Sequence, residues 1–225
     1  MKLSIIIPTY NEELTIEQLI RLVESVSYPI DHEIIIVNDA STDSTLQKDI
    51  LKQISKDYVK LLNNRENKGK GICISQGIGS ATGDIIIIQD ADLEYNPQDI
   101  PRLIQPIING EAEVVYGSRF LKSKYPYGMA WPNYIANKFL TRLTNLLYRT
   151  NLTDMETCYK AIKANVIKNI RLRARRFEFE PELTAKIVKR KISIYELPIS
   201  YRGRGLKQGK KIKPKDFFIA IQTLL

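Results

Sequence analysis

Gly83-Asp84-Ile85-Ile86-Ile87-Ile88-Gln89-Asp90-Ala91-Asp92-Leu93-Glu94 is the stretch from which the rest of the chain can be laid out. Four consecutive isoleucines opened by Gly83-Asp84 read as a strand buried on both faces, the pattern of a parallel sheet. The strand then runs into acid. In an extended segment Asp90, Asp92 and Glu94 alternate and so share one side. Three carboxylates at the end of an apolar strand repel one another and lose hydration. A divalent cation relieves both costs, and Mg²⁺ or Mn²⁺ takes oxygen ligands from carboxylates and substrate phosphates. The pattern predicts a metal–diphosphate site at the carboxyl end of a central strand. A plainer role is compatible with it: Asn96-Pro97-Gln98-Asp99 has the form of a helix start, so the acids also lead into a turn and cap.

Upstream, the same design recurs. Leu3-Ser4-Ile5-Ile6-Ile7-Pro8 is a short apolar strand, followed by Thr9-Tyr10-Asn11-Glu12-Glu13 as a loop and helix entry. Leu14, Ile16, Leu19, Ile20, Leu22 and Val23 give a helical stripe ending near Tyr28-Pro29. Glu33-Ile34-Ile35-Ile36-Val37-Asn38-Asp39 is a second strand that ends in acid and turns through residues 40–45 into a helix. Val59 to Leu62 is a third strand, and Asn67-Lys68-Gly69-Lys70-Gly71 turns into a helix that runs to about Ala81. Regular strand–helix alternation predicts an α/β sandwich with a mostly parallel central sheet and helices on both faces. Ligands of such sheets bind outside the carboxyl ends of the strands. Pro8 to Glu12, Asn38-Asp39 and Asp90-Ala91-Asp92 all fall on that edge. Together they predict a pocket with an aromatic ring, a carboxylate for a base edge and a metal-binding pair. No G-x-G-x-x-G follows the first strand and no G-x-x-x-x-G-K-[ST] occurs, so a bound diphosphate would need a cation and basic side chains.

Composition narrows the classes. With 225 residues, 44% hydrophobic and 26% charged, the chain reads as a soluble globular protein with a sizeable core. One histidine, His32, and two distant cysteines, Cys73 and Cys158, argue against zinc chemistry and against a Ser-His-Asp or Cys-His site. No signal peptide pattern precedes Leu3, and no segment reaches the ~20 apolar residues of a membrane-spanning helix. A net charge of +9 favours anionic partners.

Ile6-Ile7-Pro8-Thr9-Tyr10-Asn11-Glu12-Glu13, Val37-Asn38-Asp39-Ala40-Ser41-Thr42-Asp43, Asn67-Lys68-Gly69-Lys70-Gly71, Ala81-Thr82-Gly83-Asp84 and Asp90-Ala91-Asp92 together resemble the family 2 glycosyltransferases of GT-A fold. Within that family the chain looks like the branch of dolichol-phosphate mannose synthases and polyprenyl-phosphate glycosyltransferases. The resemblance implies that Pro8, Tyr10, Glu12, Asp39, Lys68 and Asp90 contact the nucleotide sugar. It implies that Asp90, Asp92 and Glu94 hold Mg²⁺ or Mn²⁺, Asp92 thereby serving catalysis. Many relatives have Asp where this chain has Asn38. Residues 1–213 would form the transferase domain, with a nucleotide-sugar half over 1–118 and an acceptor half over 119–213.

The second half is read largely through the same resemblance. Ala112 to Arg119 is a strand, and relatives make Arg119 face phosphate. Phe120 to Trp131 is an aromatic, proline- and glycine-punctuated loop. Asn133 to Tyr148 is an amphipathic helix, suited equally to core packing and to lying on a membrane surface. Leu152 to Lys160 matches the segment beside the acceptor, with Asp154 as the catalytic carboxylate. A lipid phosphate is already anionic and needs little deprotonation, so Asp154 would orient groups; a hydroxyl acceptor would need it as a base. Ile192 to Ile199 is a strand, and Tyr201 to Lys213 is basic and glycine-spaced. There the resemblance assigns Arg202, Arg204, Lys207 and Lys210 to the donor diphosphate and acceptor phosphate. Residues 214–225 begin an amphipathic, membrane-proximal helix, where relatives continue into transmembrane helices or pair with a membrane-anchoring subunit.

The expected reaction moves mannose or glucose from GDP-mannose or UDP-glucose to a polyprenyl or dolichyl phosphate, with inversion, at the cytoplasmic face of a membrane. Transfer to a sugar or protein hydroxyl is the enzymatic alternative. A nucleic-acid-binding module is a remoter one, since the basic tail lacks interleaved stacking aromatics.

Overall fold

The computed structural model describes residues 1–47, 57–204 and 214–225. Its strands are β1 (Lys2–Thr9), β2 (Asp31–Asn38), β3 (Val59–Asn63), β4 (Ile85–Ile88), β5 (Val114–Ser118), β6 (Lys160–Lys163) and β7 (Ile194–Pro198). They form one sheet in the order β3-β2-β1-β4-β6-β5-β7. Every neighbouring pair is parallel except those of β6, which runs antiparallel to β4 and β5. Ile5 to Ile7, Ile34 to Val37 and Ile85 to Ile88 are buried, the fate of β-branched runs covered on both faces. The isoleucine strand lies in the middle of the order, and the chain reverses its direction of winding at the β1/β4 boundary.

The helices are α1 (Ile16–Glu24), α2 (Lys70–Ser80), α3 (Ile100–Ile108), α4 (Trp131–Tyr148), α5 (Ala164–Ile167), α6 (Phe179–Lys189) and α7 (Pro214–Leu224). α1 buries Ile16, Leu19, Ile20 and Val23, and α3 buries Ile100, Leu103, Ile104 and Ile107, each a stripe of helical period. A second cluster joins α4, α6 and α7 through Leu140, Met155, Ala185, Ala220 and Leu224. The Tyr148 hydroxyl donates to the Leu224 carbonyl at 2.6 Å. The helix expected after residue 45 falls largely outside the described residues.

β6 was not foreseen. Its four residues, Lys160-Ala161-Ile162-Lys163, are too short and too polar at the ends to show a strand period. It matters because its direction is reversed. Its amino end therefore lies at the edge where the parallel strands end, and the segment before it is delivered to that edge.

Glu33 ties three strands together. It accepts from the Ser4 hydroxyl at 2.6 Å, from the Thr82 N–H at 2.6 Å and from Lys2 Nζ at 3.3 Å, fixing the entry into β4. Burial opposes its charge, but these hydrogen bonds outweigh burial and hold the carboxyl at about 2, against an ordinary 4.5. A depressed pKa gives stability that is fully present above the unfolded value and is lost as pH falls through the folded one. Between pH 4.5 and 2 the protein should lose on the order of 3 kcal/mol through this group. Urea unfolding of Glu33→Gln over that range should show a correspondingly flatter acid limb; an unchanged limb would refute the assignment.

α2 packs closely on β1. A Cβ on Gly77 would stand 2.5 Å from Ile6 Cγ2, whereas one on Gly79 would meet nothing within 4 Å. Gly77→Ala should cost about 1–3 kcal/mol by overpacking. Gly79→Ala in the same helix should gain up to about 1 kcal/mol from helix propensity. Urea midpoints of the two variants should move in opposite directions.

Candidate active site

The carboxyl edge opens into a cleft of about 490 Å³. Its first wall is the loop after β1, where Pro8, Thr9, Tyr10 and Glu12 line the space. Asn11 holds that turn at a φ of +50°, a conformation asparagine tolerates. Its side-chain oxygen accepts from the Thr42 N–H at 2.8 Å, and the Glu12 N–H donates to Thr45 Oγ1 at 2.9 Å. The loops after β1 and β2 are thus laced together. Asn38 also works locally, accepting from the Ser41 hydroxyl at 2.6 Å.

Asp39 forms the second wall and is heavily engaged. Its oxygens accept from the N–H groups of Lys68 at 2.8 Å and Gly69 at 2.7 Å, and from Asn64 Nδ2 at 2.9 Å. Gly69 sits at a φ of +97°, and a Cβ there would run into the Arg175 carbonyl, so only glycine permits this approach. Lys68 enters the site through its backbone, with its side chain exposed. The basic side chain that does reach the cleft is Lys70, at the start of α2, whose Nζ stands 2.7 Å from Asp90 and 3.6 Å from Glu180.

β4 ends at Ile88, so Asp90, Asp92 and Glu94 are not gathered by strand alternation. A turn gathers them, with Leu93 at a φ of +60°, and all three line the cleft. Their repulsion is answered by Arg204. Its guanidinium lies 2.9 Å from Asp92 and 3.2 Å from Glu12, and its backbone N–H donates to Glu94 at 2.9 Å. Glu94 also accepts from the Tyr201 hydroxyl at 2.6 Å, and its carbonyl accepts from the Arg202 N–H at 2.9 Å. Burial, then Asp90 and Glu94, push the Asp92 carboxyl up to about 7 despite Arg204. Burial works against the charges of Arg204 and Lys70, yet their carboxylate neighbours raise both. Arg202 does not join this group. It is exposed and lies over the Tyr127 ring at 5.9 Å. Lys207 and Lys210 lie outside the described residues.

Arg119, at the end of β5, is buried against Asp154 and lines the cleft. Nε and Nη2 donate to the two Asp154 oxygens at 2.7 Å each, and the Arg119 N–H adds a third bond at 3.0 Å. Asp154 is completely buried, and both of its oxygens accept from Arg119, so the carboxylate holds the arginine in place. The cleft carboxyl of that segment is Glu156. Burial, then Glu180, push it up to about 7. Sequence reasoning gave Glu156, Glu180 and Lys70 no role. Lys70 sits beside Gly71 in the same basic turn as Lys68, but it is the first residue of α2, and its ammonium is the one that points inward.

Between α4 and α7 the cleft is lined by Met129, Ala136, Leu140, Phe217 and Ala220, with Asn133, Asn137 and Asp216 among them. The outer face of α4 exposes Trp131, Ile135, Phe139 and Leu146 beside Arg142. Among the described residues no helix is long and apolar enough to cross a membrane. The aromatic loop of residues 120–130 and the 201–204 segment meet backbone to backbone: the Gly203 N–H donates to the Tyr127 carbonyl at 2.9 Å, and a Cβ on Gly128 would strike the Gly203 carbonyl.

Residues 4–171 match the family model described as glycosyl transferase family 2. A dolichol-phosphate mannosyltransferase of Pyrococcus furiosus is 30% identical over 228 residues, covering 97% of this chain. The chain spans 61% of that protein's length. A UDP-N-acetylglucosamine–dolichyl-phosphate N-acetylglucosaminyltransferase of Methanococcus voltae is 32% identical over 214 residues, covering 87% of this chain and 83% of that protein. Among solved structures, glucosyl-3-phosphoglycerate synthase from Mycobacterium tuberculosis, in complex with Mn²⁺, UDP and glucosyl-3-phosphoglycerate, superposes with a TM-score of 0.76 at 20% identity. That match covers all of this chain and 78% of the other, and it shows a shared fold, the GT-A architecture.

The Arg119–Asp154 pair makes a direct test of the site's electrostatics. Asp154→Asn should cost about 3–5 kcal/mol, because it strands a buried guanidinium. Replacing both partners, Arg119→Met with Asp154→Leu, should recover much of that loss. Urea unfolding of the two variants would contradict the pairing if the double were the less stable.

Proposed function

Because this chain belongs to glycosyl transferase family 2, we propose that it transfers a sugar from a nucleotide-diphosphate sugar, GDP-mannose or UDP-glucose, to a polyprenyl or dolichyl phosphate. The observation that carries the acceptor class is the position of Arg119. It is a buried cation held by Asp154 where the polar cleft meets the apolar gap between α4 and α7. A lipid phosphate has that same division, an anionic head on an apolar chain. The two relatives named above carry dolichol-linked acceptors in their names.

In this proposal Pro8, Tyr10, Glu12 and Asp39 surround the nucleotide, with Asp39 also bracing the loop of residues 67–69. The acceptor phosphate lies against Arg119 and is already anionic at neutral pH. Its oxygen forms the new bond to the anomeric carbon as the bond from that carbon to the diphosphate breaks, so configuration inverts and a nucleoside diphosphate leaves. No proton has to be removed, which agrees with an Asp154 used up in orienting Arg119. Arg204 and Lys70 neutralise the growing negative charge from fixed positions.

A divalent ion suits the donor set. Burial, with Asp90 and Glu94 close by, raises Asp92 to about 7, and in the free cleft Arg204 faces Asp92 while Lys70 faces Asp90. Among the described residues no three acidic, imidazole or thiolate side chains converge as a ready-made cage. Two carboxylates completed by diphosphate oxygens is the usual arrangement for Mg²⁺. Asp90 and Asp92 would hold Mg²⁺ or Mn²⁺ with Glu94 behind them, and the ion when bound supplies charge to the leaving diphosphate. In this proposal the enzyme works at the cytoplasmic face of a membrane, held there by transmembrane helices or a membrane subunit, and the exposed apolar residues of α4 support that reading.

With radiolabelled GDP-mannose or UDP-glucose, Mn²⁺ and dolichyl phosphate, label should pass into the organic phase. Asp92→Asn or chelation of the metal should slow transfer by about a hundredfold or more, and dolichol without its phosphate should accept nothing. Label retained on water-soluble glycans would favour the hydroxyl-acceptor alternative, and undiminished turnover under chelation would remove the metal.

A further inference from the structure

The segment before β6 is pinned down from several directions. The N–H groups of Thr153 and Asp154 donate to Glu196 at 2.8 and 3.0 Å, that of Met155 to Thr141 Oγ1 at 3.1 Å, and that of Cys158 to the Tyr95 hydroxyl at 3.1 Å. From below, the fully buried Lys160 ammonium donates to the carbonyls of Met155 and Thr157, the two residues flanking Glu156. Glu180 neutralises that ammonium. A buried lysine spent on two carbonyls is an expensive way to build a turn, and what the turn presents to the cleft is Glu156. Within this braced turn the Glu156 Oε1 atom is sheltered from solvent and has no hydrogen-bond partner.

An unpaired buried acceptor is destabilising, and a ligand donor would cancel that cost. The identity of that donor follows by elimination. A phosphate would be repelled by the carboxylate, and Arg119 already offers it a place. A metal ion would be repelled by the Arg119 and Lys160 cations, both near enough to act on this carboxyl. A base has nothing to deprotonate when the acceptor is a phosphate. A neutral hydroxyl remains.

We infer that Glu156 accepts a hydrogen bond from one hydroxyl of the sugar being transferred, and so selects among hexoses that differ at that position. Lys160 is its positioning residue, acting through the two carbonyls. The inference rests on the proposal that a nucleotide sugar occupies this cleft. It adds that sugar identity is read from the β6 side, away from the loops that hold the base.

Calorimetric titration separates the two levels. UDP, GDP, UDP-glucose and GDP-mannose, each with Mn²⁺, are titrated into the wild type, E156A and E156Q. For the nucleotide sugar that the wild type binds, E156A should weaken affinity by about tenfold or more, with affinity for the free nucleotide unchanged. E156Q keeps a carbonyl acceptor and should recover part of the loss. Monodeoxy donors should identify one hydroxyl whose removal hurts the wild type and leaves E156A indifferent. The melting temperature of E156A should hold or rise, since an unsatisfied buried group is removed. Equal losses for sugar and free nucleotide, or no loss for either, would overturn the inference while leaving the donor assignment standing. Abolished turnover with unaltered affinities would overturn it in favour of a base. A wild type that gives no heat with any of the four ligands would sink the donor assignment and the inference together.

Discussion

A sheet that ends in acid has to be paid for in cations, and the architecture of this protein follows from where those cations come. Asp39, Asp90, Asp92 and Asp154 lie at one edge, most of them withdrawn from water. Like charges in such a place are unstable unless countered at short range. Each is answered from a different part of the chain: Asp39 by backbone N–H groups before α2, Asp90 by Lys70, Asp92 by Arg204 and Asp154 by Arg119. A further link joins Lys70 through Glu180 to Lys160 deep under the sheet. The counter-charges are drawn from α2, β5, β6 and the segment after β7, so neutralising the edge also fastens the second half of the chain to the first.

How much of this could be read beforehand depended on range. Strands built of isoleucine announce themselves, and the acids that close them are adjacent in sequence, so the sheet edge and its carboxylates were legible. Pro8, Tyr10, Glu12, Asp39, Arg119 and Arg204 do line one cleft with Asp90, Asp92 and Glu94. What local pattern could not supply was orientation. Lys68 and Lys70 are two residues apart on the same turn, as are Arg202 and Arg204, and in each pair only the second reaches the cleft. The turn at Leu93, not the alternation of a strand, sets the direction of the three acids.

The least legible part was the reversed strand β6. Lys160 looks like a surface residue, yet it is fully buried because Glu180 and two carbonyls surround its ammonium. The charged partner, Glu180, is too distant in sequence to suggest the arrangement. The same gap hid the exchange of duties between Asp154 and Glu156. Only the geometry reveals that the first grips arginine with both oxygens and that the second has an oxygen without a partner.

The contact between Gly128 and Gly203 has a consequence for how the two walls of the cleft can vary. The aromatic loop flanks the apolar end of the cleft, and the 201–204 segment carries the arginine that faces the acids. With no side chain between them, the two backbones form a seam without slack. Neither can be tuned alone: a residue inserted on one side displaces the other. The two walls of the cleft are therefore a single plate, and sequence drift in either is constrained by the other.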